Sequence, residues 1–465
     1  VSEQVSVAVV GGGISGLTAA FRLRTLLGPS AAITVFESTS RLGGKLHTTE
    51  VAGLPVDVGA EAFLLRRREA IELVAEIGLE DLVVHAGSAK PTVRAGGRTV
   101  GLPRRTLMGI PADAAEVSGV LSERGVAAVA AERELPAVQM PAHDVGLGAL
   151  LRERLGDELV DRLVSPLLGG VYGARADDLG LRAVLPALAN ALDRGAGSIT
   201  AAVQSLLPPA RSGEAPPVFG TLRGGLQQLV QRLADNAKAT VKFGTPVREL
   251  RRTADGWQLK AAERHAVDGV ILAVPPPAAR RLLAEPAPGA AAAYGRAEQA
   301  SMAVVTLAFP AGTELPQASG LLIEEGQRRS DGSTVLSKAM TFSSRKWPHI
   351  GEAGVIMRAS VGRFGQNEQL RMTDTALVDG VLADVADLTG VRAEPLDVHV
   401  QRWGGGLPRY GPDHAECVTA IDKAVAELPR LEVAGALLNG VGIPACIGTA
   451  DAAARRLASQ LTVRH

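Results

Sequence analysis

At 465 residues the chain is too long for one simple core and predicts two or three domains. Its 46% hydrophobic and 21% charged content is that of a globular protein. The balance of 49 Lys+Arg against 49 Asp+Glu excludes a global basic field for nucleic acid, though not a local patch. Only Cys417 and Cys446 carry thiols, which excludes a disulfide framework and points to a reducing compartment. No apolar run has membrane-spanning length and no charged-then-apolar leader precedes Val5, so the expected location is the cytoplasm. Peripheral membrane contact is left open, and no metal is expected.

Residues 5–10 form a short apolar run that predicts a strand buried on both faces. Gly11-x-Gly13-x-x-Gly16 follows, with Gly12, Ile14 and Ser15 between, and opens a helix that Gly28-Pro29 stops. A second strand, "AITVFE", ends in Glu37. Strand, glycine turn, helix, strand and acid together are the dinucleotide fingerprint in its required context. Gly11 makes the tight turn, Gly13 lets the backbone approach a pyrophosphate, Gly16 allows close packing, and Glu37 accepts from a ribose. Beyond Glu37 and Ser38, the loop "RLGGK" supplies Arg41, Gly43, Gly44 and Lys45. Nicotinamide enzymes do not need a basic loop there, whereas a large flavoprotein family does. In "VDVGAEAF", the small residues Gly59 and Ala60 before Glu61 would let a flat ring lie against the backbone; an ordinary turn is the competing reading. Arg66, Arg67 and Arg68 follow.

Residues 107–192 are mostly helical in pattern, either packed on the rest of the chain or presenting an amphipathic surface. Residues 193–217 are rich in Gly, Ala, Ser and Pro and predict a loop. "ATVKFGTPVREL", "WQLKAAE" and "VDGVILAVPPPAARRLL" predict strands and a Pro-started helix. Between 297 and 407, strands such as "SMAVVTLAFP" alternate with helical stretches, which predicts a second α+β unit. At the end, "LEVAGALLNG" reads as a strand feeding the glycine turn "GVGIPACIGTADAAARRL". Two glycine turns, each opening a helix at opposite ends of the chain, suit a long cofactor that needs backbone donors in two places. FAD is such a cofactor: one helix N-terminus meets its pyrophosphate, and another can stabilise the negative charge of the reduced ring.

The motifs "GGGISGL", "ESTSRLGGKL", "VGAEAF", "MGIP", "PLLGGVYGARADDL", "KWPH", "QRWGGGLPRYGPDH" and "GVGIPACI" cover nearly the whole chain. On them, the chain resembles the flavin-containing amine oxidase superfamily, and within it the soluble Gram-positive type of protoporphyrinogen/coproporphyrinogen oxidase. The resemblance implies α/β plus α+β architecture: a discontinuous Rossmann-like FAD-binding domain (1–60, 206–290, 416–465), an α+β substrate domain (61–103, 291–415) and a helical insertion (104–205). It implies FAD held by Gly11, Gly12, Gly13, Ile14, Ser15, Gly16, Glu37, Ser38, Arg41, Gly44 and Lys45. Gly59, Ala60 and Glu61 would lie at the flavin ring, Val247 at the adenine, and Trp403 with Gly442, Ile443 and Pro444 would complete the ring site. Ala445 stands where the family usually has an acidic or polar residue, so a side-chain hydrogen bond there is in doubt.

The implied reaction is FAD-dependent, oxygen-consuming oxidation of coproporphyrinogen III to coproporphyrin III in haem biosynthesis. Flavin N5 accepts the hydride and hydrogen peroxide is the by-product. No catalytic side chain is assigned, because pyrrole protons can leave to solvent or a backbone carbonyl. Most of the eight histidines are expected on the surface. Arg67 is the expected partner of a substrate carboxylate, with Arg345, Lys346, Arg402 and Arg409 as further rim cations. Protoporphyrinogen IX is the alternative substrate. An amine oxidase is less favoured, because none of the three tyrosines precedes Gly440 where an aromatic pair would stand. Leu407 occupies the position of a flavin-linking cysteine, so FAD should be non-covalent. A binding protein that had lost its flavin conflicts with the intact Glu37 and "RLGGK". The expected partners are the porphyrinogen and dioxygen, no nucleic acid, with transient contact with a ferrochelatase or a membrane surface left open.

Overall fold

The computed structural model describes residues 4–209 and 217–462. A five-stranded parallel sheet lies at its centre, in the order Thr240–Lys242, Ala32–Phe36, Ser6–Val10, Gly269–Leu272, Leu431–Val433. Its strands come from three distant stretches of the chain. Ser6–Val10 is central, and its Val7, Ala8, Val9 and Val10 are buried on both faces, which explains the apolar run there. Val7 and Val9 point into one core with Leu17, Leu233 and Leu457, from helices Ile14–Leu27, Gln227–Ala237 and Ile443–Thr462. Ala8 and Val10 point the other way, onto Trp257, Leu282 and Ile421. Burying each such valine or leucine is worth about 1.5–3 kcal/mol. Both faces of the sheet are therefore covered, as in doubly wound folds.

The second sheet has seven strands, in the order Asp397–Pro408, Gln299–Phe309, Val355–Val361, Ser337–Thr341, Gly320–Ile323, Pro91–Ala95, Arg98–Gly101. All pairs are antiparallel except Gly320–Ile323 with Pro91–Ala95. On Val355–Val361, Met357, Ala359 and Val361 pack with Leu377, Val381 and Val385 of helix Asp374–Thr389. The alternate residues Ile356 and Arg358 point back toward residues 51–61. That period-two alternation presents one sheet face to the candidate site.

Between the two sheets in sequence, helices Glu123–Ala131, Leu147–Leu155, Ser165–Tyr172, Pro186–Asp193 and Ile199–Leu206 share one apolar cluster. The last of these corrects the loop expected over 193–217. Ser198 caps it by accepting from Ala201 N–H at 3.2 Å. The fully buried Glu132 accepts from Ile199 N–H at 2.6 Å and Thr200 Oγ1 at 2.8 Å. A carboxylate 67 residues upstream thus stabilises this helix N-terminus, and local composition carries no trace of it. Residues 210–216 of the expected loop lie outside the described residues.

Candidate active site

The first glycine turn is built by close backbone approach. Gly11 adopts φ +109°, and a Cβ there would lie 2.3 Å from the Ala273 carbonyl oxygen; at Gly16 a Cβ would lie 1.8 Å from that of Gly11. Gly13 differs, because a Cβ there would meet nothing nearer than Gly44 Cα at 3.8 Å. A side chain at Gly13 would thus meet only ordinary contact with the facing loop, the helix N-cap has no side-chain hydrogen bond, and no acid lies in its first turn. Ile14 and Ser15 are buried behind it. The turn therefore offers amides and a partial positive charge to an anion.

Glu37 is buried, and Gly12 N–H donates to its Oε2 at 2.8 Å. Its Oε1 accepts from Thr39 N–H and Oγ1, both at 2.8 Å, and from Ser38 Oγ at 3.4 Å. Thr245 N–H donates to the Glu37 carbonyl at 2.9 Å, which brings the segment leading to Val247 alongside. Val247 is buried, and its carbonyl accepts from Arg281 at 3.1 Å. The "RLGGK" loop is tied to the same turn, with Gly43 N–H donating to the Gly12 carbonyl at 2.8 Å. Arg41 donates to the carbonyls of Gly44 at 2.7 Å and Leu42 at 3.2 Å, and its guanidinium lies 5.8 Å from the centre of the Trp403 ring. The Lys45 ammonium makes no hydrogen bond or ion pair among the described residues, and desolvation pushes its pKa below the ordinary lysine range.

The second glycine turn converges on the first. Ser15 Oγ donates to the Cys446 carbonyl at 3.3 Å, and Arg22 Nε pairs with Asp451 at 2.6 Å. The N-termini of helices Ile14–Leu27 and Ile443–Thr462 are thus neighbours. Pro444 has no N–H, and the amides of Ile443 and Ala445 have no intrahelical acceptor. Gly442 is exposed while Ile443 and Pro444 are buried. Burial raises the Cys446 thiol pKa, consistent with a small buried hydrophobe. Sequence reasoning missed Tyr410, whose hydroxyl accepts from Gly440 N–H at 2.7 Å and donates to the Ala436 carbonyl at 2.6 Å. His414 stacks on its ring at 3.7 Å.

Trp403 lies over Gly59. Its Nε1 donates to the Val58 carbonyl at 3.1 Å, and a Cβ on Gly59 would come within 2.9 Å of Cζ2. Ala60 N–H donates to the Lys45 carbonyl at 3.0 Å. Arg358, also missed in the sequence, donates to the Gly59 carbonyl at 2.7 Å and to Glu61 Oε2 at 2.5 Å. Lys346 pairs with the other oxygen of Glu61. Burial alone would raise the Glu61 pKa, but Lys346 and Arg358 outweigh it and hold it at about 2. The only signal for Arg358 was its place on an apolar strand.

The rim cations are mostly committed elsewhere. Arg67 pairs with Glu69 at 2.5 Å and Arg68 with Glu72 at 2.7 Å, whereas Arg66 is exposed and makes no ion pair among the described residues. Arg345 donates to the Leu315 carbonyl at 3.1 Å. Arg402 is held by Asp374 and the Met372 carbonyl, and Arg409 by Glu298 and the Asp178 carbonyl, so the structure does not gather these two with Arg66–Arg68. Among the described histidines, His85 and His143 are exposed, His47, His265, His349 and His399 are partly exposed, and only His414 is buried.

The residues fit a flavin: a glycine turn at one helix N-terminus, a second helix N-terminus beside it, and a half-buried lysine whose ammonium lacks a counter-ion. Such a fold and site define a flavoprotein oxidoreductase. The chain belongs to the flavin containing amine oxidoreductase family, whose profile matches residues 14–458. It is 42% identical to the coproporphyrinogen III oxidase of Mycobacterium leprae (strain TN), over 98% of this chain and 99% of the relative. It is 30% identical to that of Bacillus subtilis (strain 168), over 96% of each. A crystal structure from Exiguobacterium sp. 255-15, assigned as a protoporphyrinogen oxidase, superposes with a TM-score of 0.86 at 28% identity, covering 98% of this chain and 99% of that one. Cyclohexylamine oxidase from Brevibacterium oxydans shares the fold, with a TM-score of 0.71 at 19% identity over 99% of this chain and 100% of that one.

Proposed function

We propose that this protein oxidises coproporphyrinogen III to coproporphyrin III in haem biosynthesis, using non-covalent FAD and dioxygen. The convergence of two helix N-termini, joined by Ser15 and Cys446, carries the cofactor part of this reading. Full-length similarity to coproporphyrinogen III oxidases supports the substrate. When bound, FAD supplies a two-electron acceptor that takes a hydride equivalent from the substrate and is regenerated by dioxygen, releasing hydrogen peroxide.

The chain's own residues then bind and orient. Amides of residues 11–16 meet the pyrophosphate, with the half-buried Lys45, Arg41 and Gly44 bordering it, and Ser38 closing the far side of Glu37. Glu37 holds the ribose, and the backbone at Val247 faces the adenine. Gly59 and Ala60 leave room for the ring beneath Trp403, while Glu61 stays ionised and fixes Arg358 against the Gly59 carbonyl. Gly442, Ile443 and Pro444 bring the second helix N-terminus to the ring. Arg67 contacts a substrate carboxylate once it is drawn from Glu69. The division into FAD, substrate and helical domains at the boundaries given above belongs to the same reading. So does a cytoplasmic location, which suits a substrate with four carboxylates.

The test is direct. The purified protein should be yellow, release its flavin into the supernatant on acid precipitation, and convert coproporphyrinogen III to a fluorescent porphyrin in air. Flavin trapped in the pellet would overturn non-covalent binding. The Exiguobacterium structure favours protoporphyrinogen IX as a second reading, and a higher kcat/KM for it would reverse the order.

A further inference from the structure

Two cations away from the residues already assigned, one buried and one half-buried, have no counter-ion to themselves. Lys338 is 4% exposed and sits at the β-bulge of strand Ser337–Thr341, between the pairs Ser337↔Val361 and Ala339↔Ser360. Its ammonium makes no hydrogen bond or ion pair among the described residues. Burial lowers its pKa to about 7, and the nearby positive charge of Arg363 adds to the effect. Arg363 is half-buried just past strand Val355–Val361 and donates to the Ile323 carbonyl at 3.0 Å. The neighbouring acid is Glu325, but Arg175 takes both its oxygens, at 2.6 and 2.7 Å, and Gln366 donates to one at 2.6 Å. Arg175 is further paired with Asp178 at 3.9 Å. Arg363 is left to share its neighbouring acid with Arg175 and Gln366, and the Lys338 ammonium has no partner, so both favour an incoming anion.

Their position ties them to the second glycine turn. Helix Ser165–Tyr172 crosses the face of the seven-stranded sheet. A Cβ on Gly169 would lie 3.9 Å from Arg363 Nε, and one on Gly170 would lie 3.6 Å from Leu322. Two residues further on, the Tyr172 ring is 5.8 Å from Tyr410, which holds the turn before Ile443. Gly170 and Val171 are exposed on this otherwise packed helix. The helix therefore connects the turn that Tyr410 holds with the surroundings of Arg363.

We propose that Arg363, with Lys338 beside it, is a carboxylate-binding subsite for the rim of the substrate. The inference rests on the porphyrinogen reading above. A macrocycle with four carboxylates needs cations on more than one edge, and Arg67 lies on a separate element and is shared with Glu69. Guanidinium suits this task because its fork matches a carboxylate, and the second cation raises the local potential.

The test compares coproporphyrinogen III (four carboxylates) with protoporphyrinogen IX (two) on the flavin-loaded enzyme. Arg363→Met should raise KM for the first by about tenfold or more, with kcat within about threefold, because it removes binding common to ground and transition states. The rise should be smaller for the second substrate, the flavin content should be unchanged, and Arg363→Lys should recover most of the loss. Lys338→Met should shift the same KM ratio in the same direction, which keeps the test open if Arg363→Met does not fold. Unchanged KM for both substrates in these variants, or equal rises for both, would overturn the subsite and leave the parent reading intact. Wild-type enzyme that oxidises neither porphyrinogen would overturn the parent reading instead.

Discussion

Glu37 shows how much one side chain can hold. Its carboxylate receives Gly12 N–H from the glycine turn and Thr39 from its own loop, so it organises the cradle before any ribose arrives. Glu37→Gln keeps the shape but weakens these charge-assisted bonds. It should weaken FAD binding by about 1–3 kcal/mol, read as Kd by fluorescence titration of the apoprotein; an unchanged Kd would remove Glu37 from the site. Glu61 is the second case. Arg358→Met removes a charge-assisted bond to Glu61 and the donor to the Gly59 carbonyl but leaves Lys346 as counter-ion, so it should cost about 1–3 kcal/mol in chemical denaturation. Glu61→Gln weakens the same bonds from the other side, so the double variant should cost less than the sum of the singles, and a purely additive double variant would refute the coupling. The pH dependence has a definite sign. The folded pKa of Glu61, about 2, lies below its ordinary value, so its contribution is present above about pH 4.5 and is lost as pH falls toward 2.

Whole elements are held by residues far away in the chain. Helix Gln227–Ala237 has no side-chain cap of its own. Instead Leu226 N–H donates to Asp57 at 3.0 Å, Gln227 N–H to Thr48 Oγ1 at 3.0 Å, and Thr48 Oγ1 to Asp57 at 2.5 Å. Burial raises the Asp57 pKa to about 6, against the opposing effect of the hydrogen bonds from Thr48 and Leu226. The folded pKa therefore lies above the unfolded one. The stabilisation from the protonated carboxyl is complete below about pH 4 and is lost as pH rises through 6, a change on the order of 3 kcal/mol. Asp57→Asn mimics the protonated form. Its stability relative to wild type should rise between pH 4 and 7 in urea titrations, and a flat difference would show that Asp57 keeps an ordinary pKa. Helix Ile199–Leu206 tells the same story through Glu132.

At the scale of the molecule, the parallel sheet closes only when residues 431–433 reach Gly269–Leu272. Helix Ile443–Thr462 then buries Ile447, Ala450, Ala454 and Leu457 against the same core as Val7 and Val9. Flavin binding and global stability should therefore be linked. Saturating FAD at about 100 times its Kd should raise stability by roughly 2.7 kcal/mol over the apoprotein. A chain ending at residue 430 should lose both flavin and a cooperative thermal transition, and a yellow, cooperatively melting truncate would contradict the linkage. Among the described residues, no helix is long and apolar enough to cross a membrane.

The sequence by itself determined the local pieces and their chemistry. The strand–turn–helix–strand around Gly11, Gly13, Gly16 and Glu37 was legible because each residue answers to a neighbour within about one turn or one strand. The apolar run of Ser6–Val10 likewise announced a strand buried on both sides. What only the tertiary structure decided is where distant charges meet. Arg358 and Lys346 close on Glu61 from positions 297 and 285 residues away, and Tyr410 fastens the turn before the last helix across 30. Arg402 and Arg409, equally good rim cations by composition, are drawn instead to Asp374 and Glu298. The fate of a long cation depends on which carboxylate or carbonyl lies within about 3 Å once the sheets are packed, and that distance is a property of the packing, not of any stretch of sequence.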